Sequence, residues 1–536
     1  MFGPFSHDDE FGSRAINPME LYHNQVTRAQ GPFSLRMHHR SWGITLIQAN
    51  ISAPCTVLDF PTRERFVDEL RSHQYDIVGI SGIIVNVWKV REMCRLVREH
   101  SPRSTIVVGG HVAALPTIEQ MVDADHVVRG EGIRWFREYL GEPIDAPIEH
   151  PVIRSSFGFR LMGLKGPSGA GDPAATIIPS VGCPMGCGFC TTSAFFGGKG
   201  RFVNFYEKGA DVFRVMCEAE RQLRVRTFFV MDENFLLYKR RALELLDAMK
   251  RHGKAWSLFV FASANAIAKY DMRELVELGI AWVWMGFESP RAGYPKLRGA
   301  DTIALTRELQ SHGIRVQGST IIGLEHQTPA NLPGEIDHAV AHHADCHQFM
   351  LYTPVPGTPL YADIDAQGRI LGDVDLADIH GQYKFNFRHA AIARDDSQRW
   401  LDRAFECDYA ANGPSLYRMM RTMLAGWRRY RDDPDARVRR HVEEDAKKLR
   451  RGYGAALWAM ERYLRDSNVE ISGRIRSLRL DIEREFGGAA TAIDRVAGPV
   501  LLWAARREAL RYPAGRPLEP RTFVDRARWA TPSYGQ

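Results

Sequence analysis

Short apolar runs alternate with amphipathic stretches through the first 145 or so residues. TVLDFP (56–61), DIVGISG (76–82), TIVVGGH (105–111) and HVVRGEG (126–132) are rich in β-branched residues, and glycine, proline or charge follows each. Between them, residues 87–99 (VWKVREMCRLVRE) and 117–123 carry helical spacing. This rhythm predicts a Rossmann-like, doubly wound parallel sheet covered by helices. Ligands of such sheets bind at the C-terminal strand ends. SG (81–82), GGH (109–111) and RGEG (129–132) lie there.

Residues 146–175 break the pattern, and KGPSGAGDP (165–173) has the composition of a flexible connector. A second strand–helix series follows. Its strand candidates are TIIPSV (176–181), RTFFVMD (226–232), SLFVFAS (257–263), AWVWMGFES (281–289), VQGSTIIGL (316–324) and HQFMLYTP (347–354). Helical patterns such as 211–223 and 240–253 fill the gaps. Six consecutive units fit an open (β/α)6 partial barrel better than a closed eight-stranded one. Beyond about residue 390 strand signals vanish and the tail reads as helical, basic and aromatic. Leu416, Met419, Met420, Met423, Trp427 and Tyr430 recur at helical spacing beside Arg418, Arg421, Arg428, Arg429 and Arg431. That stripe suits a helix-packing core with solvated arginines, or a face that meets an amphipathic substrate or lipid. LWAARREALRY (502–512) offers the same two readings. The expected division is an N-terminal sheet domain (1–145), a connector (146–175), a partial barrel (176–390) and a helical C-terminal domain (391–536).

Composition narrows the class. A chain of 536 residues implies roughly three or four domains at about 150 residues each. With 45% hydrophobic and 25% charged residues it is globular. A net charge of +6 and a pI near 8.8 fall short of the dense field of a dedicated nucleic-acid binder. The eight cysteines do not form a secreted disulfide framework. The first residues, MFGPFSHDDEFGSR, lack the basic start and apolar core of a signal peptide. A cytoplasmic protein is expected, with peripheral membrane contact left open.

The sharpest chemical signal is SVGCPMGCGFC (180–190), which sets Cys183, Cys187 and Cys190 in a Cys-x3-Cys-x2-Cys array just after the first strand of the second series. Thiolates suit iron–sulfur clusters and zinc. Structural zinc takes four ligands, and no fourth lies close in sequence. Three thiolates on one loop can hold three irons of a 4Fe–4S cube and leave the fourth iron open. The glycines at 182, 186 and 188 let the backbone wrap closely. A zinc knuckle completed from elsewhere and simple buried cysteines are the alternatives.

In order and kind, residues 176–360 resemble the radical S-adenosylmethionine (SAM) superfamily. The resemblance implies that the open iron binds the amino and carboxylate groups of SAM. Reductive cleavage then yields a 5′-deoxyadenosyl radical that abstracts hydrogen from an unactivated carbon. It implies an external electron donor such as flavodoxin or ferredoxin. Residue by residue, Phe189 corresponds to the position beside the adenine. MDENF (231–235) offers Asp232 and Asn234, FASAN (261–265) offers Ser263 and Asn265, and GFES (286–289) offers Glu288 as SAM contacts. Neighbours on a strand face opposite ways, so only one of each adjacent pair can point into the barrel. The fifth strand departs from the family pattern Gly-x-Ile-x-Gly-x-x-Glu. Ser319, Ile321, Gly323 and His326 stand at those positions, and His326 is not taken as a ligand. TPVPGTPLY (353–361) resembles the sixth-strand exit.

The N-terminal series resembles the cobalamin-binding domain that precedes many radical SAM barrels. Ser81, Gly82, Gly109, Gly110, His111, Gly130 and Gly132 are the matching cobalamin candidates. The Asp-x-His-x-x-Gly motif of mutases is missing; the resemblance implies a cobalamin with no histidine on cobalt, and a domain that has kept the fold and lost the cofactor is the alternative. The implied reaction is cobalamin-dependent methylation of an unactivated carbon of a small molecule or lipid. Nucleic-acid modification is the weaker option and no nucleic-acid partner is expected, since no separate RNA-binding module or basic cluster with stacking aromatics is visible. Radical cyclisation, carbon–carbon coupling or rearrangement without methyl transfer is the enzymatic alternative. An iron–sulfur regulatory or binding protein is the alternative of another class. In the resembled enzymes the C-terminal domain closes the barrel mouth, which is the expectation for 391–536.

Overall fold

The computed structural model describes residues 21–37, 40–155, 159–165, 174–297, 299–511 and 522–528. Most of the expected flexible connector, residues 166–173, lies outside the described residues.

The N-terminal strands are β1 (Cys55–Asp59), β2 (Ile77–Ser81), β3 (Thr105–Gly109) and β4 (His126–Val127). β2, β3 and β4 pair in parallel. Val78, Ile80, Ile106 and Val108 pack on Val90, Met93, Cys94 and Val97 of the helix Val87–His100. A continuous apolar strand buried on both faces is what a helix-covered parallel sheet requires. Cys94 is part of that packing.

The second sheet has seven strands. Six are parallel and adjacent in chain order: β6 (Ala174–Ile177), β7 (Thr227–Val230), β8 (Ser257–Phe261), β9 (Ile280–Gly286), β10 (Arg315–Ile322) and β11 (Cys346–Leu351). The seventh, β5 (Ile153–Arg154), joins the edge antiparallel to β6. It falls inside the stretch expected to be a connector. Its apolar anchor, Ile153, is 1% exposed. On β8 and β9 the period of two is plain. Leu258, Val260 and Val283 face the helical shell, while Phe259, Phe261, Trp282 and Trp284 stay half-exposed on the other face. Those aromatic side chains line the lumen.

The tail is helical from Arg394 to Arg511, as its pattern predicts. Two expectations about it are corrected. First, a strand does occur: β12 (Phe523–Ala527) returns to the N-terminal domain and pairs antiparallel with β1. Arg526 bonds the buried Glu69 beside it. A short strand with three exposed residues gives little alternation to read.

Second, the helices Ser415–Tyr430 and Ala436–Lys448 sit at the N-terminal ends of the barrel strands, not at the mouth. Arg315, the first residue of β10, donates to Asp445 (2.6 Å). Arg437 reaches the carbonyls of Lys254 and Glu277, each at 3.2 Å. Ser257, the first residue of β8, shares a hydrogen bond with His441 (2.9 Å). Thr422 donates to Asp345 just before β11 (2.6 Å). The Met–aromatic stripe is packing: Leu416, Met420, Met423 and Tyr430 are buried. Arg418 is not solvated but buried at 1% exposure, paired with Asp408 (2.7 Å).

Candidate functional site

The C-terminal strand ends of both sheets face each other across two adjoining cavities. One, of about 740 Å³, opens into the barrel mouth and is bordered by Cys183, Cys187, Cys190, Phe189, Asn234, Ser263 and Glu288. The other, of about 510 Å³, lies between the domains. All seven of Ser81, Gly82, Gly109, Gly110, His111, Gly130 and Gly132 line it. Ile83, His111, Thr192 and Glu233 border both. The mouth is thus covered by the N-terminal domain. Gly357, in the sixth-strand exit, has φ +85°, and an added Cβ would lie 2.7 Å from the carbonyl oxygen of Ala114.

The cysteine loop is held from several sides. The Ser193 hydroxyl donates to the Cys183 carbonyl (2.7 Å), and its amide donates to Cys190 Sγ (3.4 Å). Leu360 N–H donates to the Gly188 carbonyl (3.0 Å), tying the loop to the sixth-strand exit. Gly186 has φ +66°, and a Cβ there would collide with Lys199 at 2.4 Å. All three thiols are free. Burial pushes Cys183 up to about 11, so metal binding must displace its proton. Among the described residues no three His, Cys, Asp or Glu side chains converge on a single ion. The three thiols instead border one end of a common cavity, as ligands to separate irons of a cluster do.

The turn that follows β7 resolves the MDENF segment differently from the expectation. Asp232 does not face the cavity. It is 2% exposed, paired with Arg241, and accepts from Ser180 Oγ (2.6 Å) and the Asn234 amide (3.0 Å). Its role is structural. Glu233 takes the cavity position: its Oε2 has no partner, and burial, then the Asp232 charge, pushes it up to about 8. Asn234 and Ser263 form a reciprocal pair, with Asn234 Nδ2 donating to Ser263 Oγ (2.9 Å) and Ser263 N–H to Asn234 Oδ1 (3.0 Å). Asn265 does not border the cavity and accepts from Ser263 Oγ (2.6 Å). Glu288 is bound to Lys296 through Oε1, while Oε2 has no partner. Phe189 lies edge-on to Tyr294 (5.3 Å), with Lys296 over its face (5.3 Å). His326 stands 4.0 Å from Glu335, outside both cavities.

Several cavity residues escaped the sequence reading. Glu233 and Lys296 had no motif to mark them. Phe261 and Trp284 stack at 4.8 Å in the lumen and were legible in the alternation of their strands. Trp284 Nε1 donates to Ser319 Oγ (2.6 Å), Ser319 donates to Gln348 Oε1 (2.7 Å), and Gln348 Nε2 donates to Gln25 Oε1 (2.8 Å). Gln317, deeper on β10, is fully buried with neither amide atom paired.

The inter-domain cavity fits a large ligand that approaches backbone. A Cβ added at Gly109 would meet nothing closer than 3.9 Å, and at Gly130 nothing within 4 Å. At both, the open space belongs to the cavity. Gly110 is the opposite case: with φ +79°, its Cβ would lie 2.6 Å from the Gly82 carbonyl. His111 lies 4.8 Å from the Phe195 ring, and burial pushes it down to about 4, so it is neutral.

Comparison with known proteins agrees with this architecture. The Radical SAM superfamily model matches residues 177–339, and a B12 binding domain model matches residues 37–140. The chain thus joins a B12-binding domain to a radical SAM superfamily domain that follows it. A bacteriochlorophyllide d C-12(1)-methyltransferase of Chlorobaculum tepidum is 29% identical over 306 residues, covering 54% of this chain and 66% of that protein. An uncharacterized methyltransferase of Pyrococcus horikoshii is 25% identical over 322 residues, covering 53% and 68%. A hopanoid C-2 methylase of Rhodopseudomonas palustris is 26% identical over 365 residues, covering 62% and 63%. Among solved structures, the radical SAM methyltransferase TsrM of Kitasatospora setae, with cobalamin and a 4Fe–4S cluster bound, shares the fold. The TM-score is 0.50 at 17% identity, over 72% of this chain and 93% of that one. No described helix is long and apolar enough to cross a membrane.

Proposed function

We propose that the protein is a cobalamin-dependent radical SAM methyltransferase acting on an unactivated carbon of a small molecule. The observation that carries the reading is the junction of the two cavities. Cluster cysteines and SAM-type polar groups line one, the glycine-edged strand ends line the other, and Ile83, His111, Thr192 and Glu233 border both. When bound, the 4Fe–4S cluster, SAM and cobalamin together supply radical generation and a transferable methyl group.

The chain's own residues do the rest. Cys183, Cys187 and Cys190 are the thiolates for three irons. Asn234 and Ser263, already locked to each other, and Glu288 present fixed polar atoms to SAM, with Phe189 as the apolar wall for its adenine. Lys296 neutralises Glu288 until a ligand cation replaces it. Ser81, Gly82, Gly109, Gly110, His111, Gly130 and Gly132 form the corrin cradle. Glu233 keeps its proton at neutral pH, so Oε2 can donate to a group in either cavity. In the lumen Phe261, Trp284, Ile321 and Met350 face Ser319, Gln348 and Gln25. That surface is uncharged and suits an apolar or ring-bearing substrate. An external one-electron donor of the flavodoxin or ferredoxin type completes the cycle.

The test is anaerobic turnover of reconstituted protein with methyl-deuterated SAM, a strong reductant and trial substrates. Methyl transfer predicts S-adenosylhomocysteine alongside 5′-deoxyadenosine, and the label in the product. 5′-Deoxyadenosine with an unlabelled product and no S-adenosylhomocysteine would replace methylation with cyclisation, coupling or rearrangement.

A further inference from the structure

The helix Gly488–Arg511 has a dry face and a wet face whose compositions do not match an ordinary surface helix. Its inner side packs on the helix Gly454–Tyr463: Ala505 is fully buried, and a Cβ at Gly498 would lie 2.7 Å from Trp458. Its two acids are also turned inward. Asp494 and Glu508 are 4% and 8% exposed, and Glu508 pairs with Arg160 (2.7 Å).

The outer side is apolar and cationic. Val496, Val500, Trp503 and Leu510 are 75%, 57%, 60% and 85% exposed. With 3.6 residues per turn they fall on one stripe. Arg495 and Arg506 flank that stripe on one side and Arg511 on the other, all exposed. Arg507 sits within it, its guanidinium 5.3 Å over the Trp503 ring. Among the described residues none of these four arginines has an acidic partner. Isolated exposed apolar residues need no explanation, but a continuous stripe does.

We propose that this face rests on an anionic lipid bilayer, with Trp503 and the aliphatic side chains at the acyl boundary and the arginines among the headgroups. A tryptophan beside arginines is the composition of an interfacial helix. Charge selects the occupant. A second copy docked through the same face across a two-fold axis would set four arginines against four arginines. An anionic surface neutralises them. The helix lies on the bilayer rather than in it, since no described helix can span one.

The experiment is flotation of the full-length holoprotein with vesicles of phosphatidylcholine alone and of phosphatidylcholine mixed with phosphatidylglycerol. Binding is expected only to the mixed vesicles and weakens as salt is raised. Arg506→Gln or Arg507→Gln weakens partitioning about fivefold each, the value of about 1 kcal/mol per basic residue at such a surface. Trp503→Ser weakens it further, and Trp503→Phe largely restores it. These positions are exposed, so unfolding midpoints stay unchanged and exclude misfolding. Three outcomes each overturn the proposal. The protein fails to bind mixed vesicles, it binds neutral and anionic vesicles alike, or Trp503→Ser dissolves a dimer seen in sedimentation while vesicle binding is unaltered.

Discussion

At the N-terminal ends of the barrel strands, buried charge is answered by buried charge. Arg315 meets Asp445, and Arg437 meets Asp435 and two backbone carbonyls. At the C-terminal ends, Glu233 and Glu288 each keep a carboxylate oxygen with no partner beside an open cavity. An unpaired buried polar atom costs about 1–3 kcal/mol, and the fold answers the buried charges of the base while leaving these two carboxylates open. The difference marks which end is scaffold and which end waits for ligands. It also separates two kinds of failure: substitutions at the mouth should empty sites, and substitutions at the base should unfold the chain.

The largest effect belongs to the cysteine loop. Alanine at Cys183, Cys187 or Cys190 should remove the thiolate-to-iron absorbance near about 400 nm after reconstitution and reduce SAM cleavage to background. The chain should stay folded, because these thiols bond nothing that carries the barrel. Cys217→Ala and Cys346→Ala should keep the absorbance. Loss of the cluster in Cys217→Ala would break the three-ligand assignment and with it the functional side of the comparison.

At the sealed base, Arg315→Met should do the reverse. It takes from Asp445 its buried partner and leaves only the exposed Lys448 at 3.8 Å, and breaking one partner of a buried pair costs roughly 3–5 kcal/mol. Urea unfolding should shift by that amount while the folded fraction still takes up cluster and cobalamin. Unchanged stability would mean that the base is not the sealed scaffold described here.

How far the sequence made this division legible depends on the kind of signal. The strands and their order were readable because β-branched runs ended by glycine have few other folds to adopt. The cysteine loop was readable because three soft ligands in one tight turn have few other uses. Asp232 misled because its neighbour has the same chemistry, and the turn after β7, not any local spacing, decides which carboxylate enters the cavity. The placement of the tail was hidden for a different reason. Arg315–Asp445 and Thr422–Asp345 join residues 130 and 77 positions apart, and no local pattern records such pairings. The return of β12 to β1 spans still more chain.

The inter-domain cavity gives a finer test. Gly109 lines it, lies outside the left-handed region, and has room for a Cβ, the nearest atom being 3.9 Å away. Gly109→Val should therefore fold normally and fill space meant for ligand. A clash of one or two methyl groups is worth about tenfold or more in affinity. Cobalamin titration followed by visible absorbance should show that loss, with the absorbance of the cluster intact. Wild-type affinity in Gly109→Val would place the corrin elsewhere.

The smallest effect distinguishes the two ends by pH. His441 packs half-buried at the base against Ser257 (2.9 Å), and desolvation there pushes it down to about 4 from 6.5, with Asp445, Arg315 and Lys448 as its charged neighbours. The native histidine is neutral where the unfolded one takes a proton. Between pH 6.5 and 4 the unfolded chain therefore binds more protons, and stability falls as pH falls, by about 1.4 kcal/mol per unit in that window. His111 and His380, also pushed down to about 4 by burial, add slopes of the same sign at the mouth. Unfolding measured at pH 7 and 5.5 should show a shallower acid loss in His441→Gln by about 1 kcal/mol. Saturating the protein with cobalamin should leave that difference unchanged, because the ligand touches only the mouth. If cobalamin erased it, base and mouth would be coupled, and the division between scaffold and site would have to be redrawn.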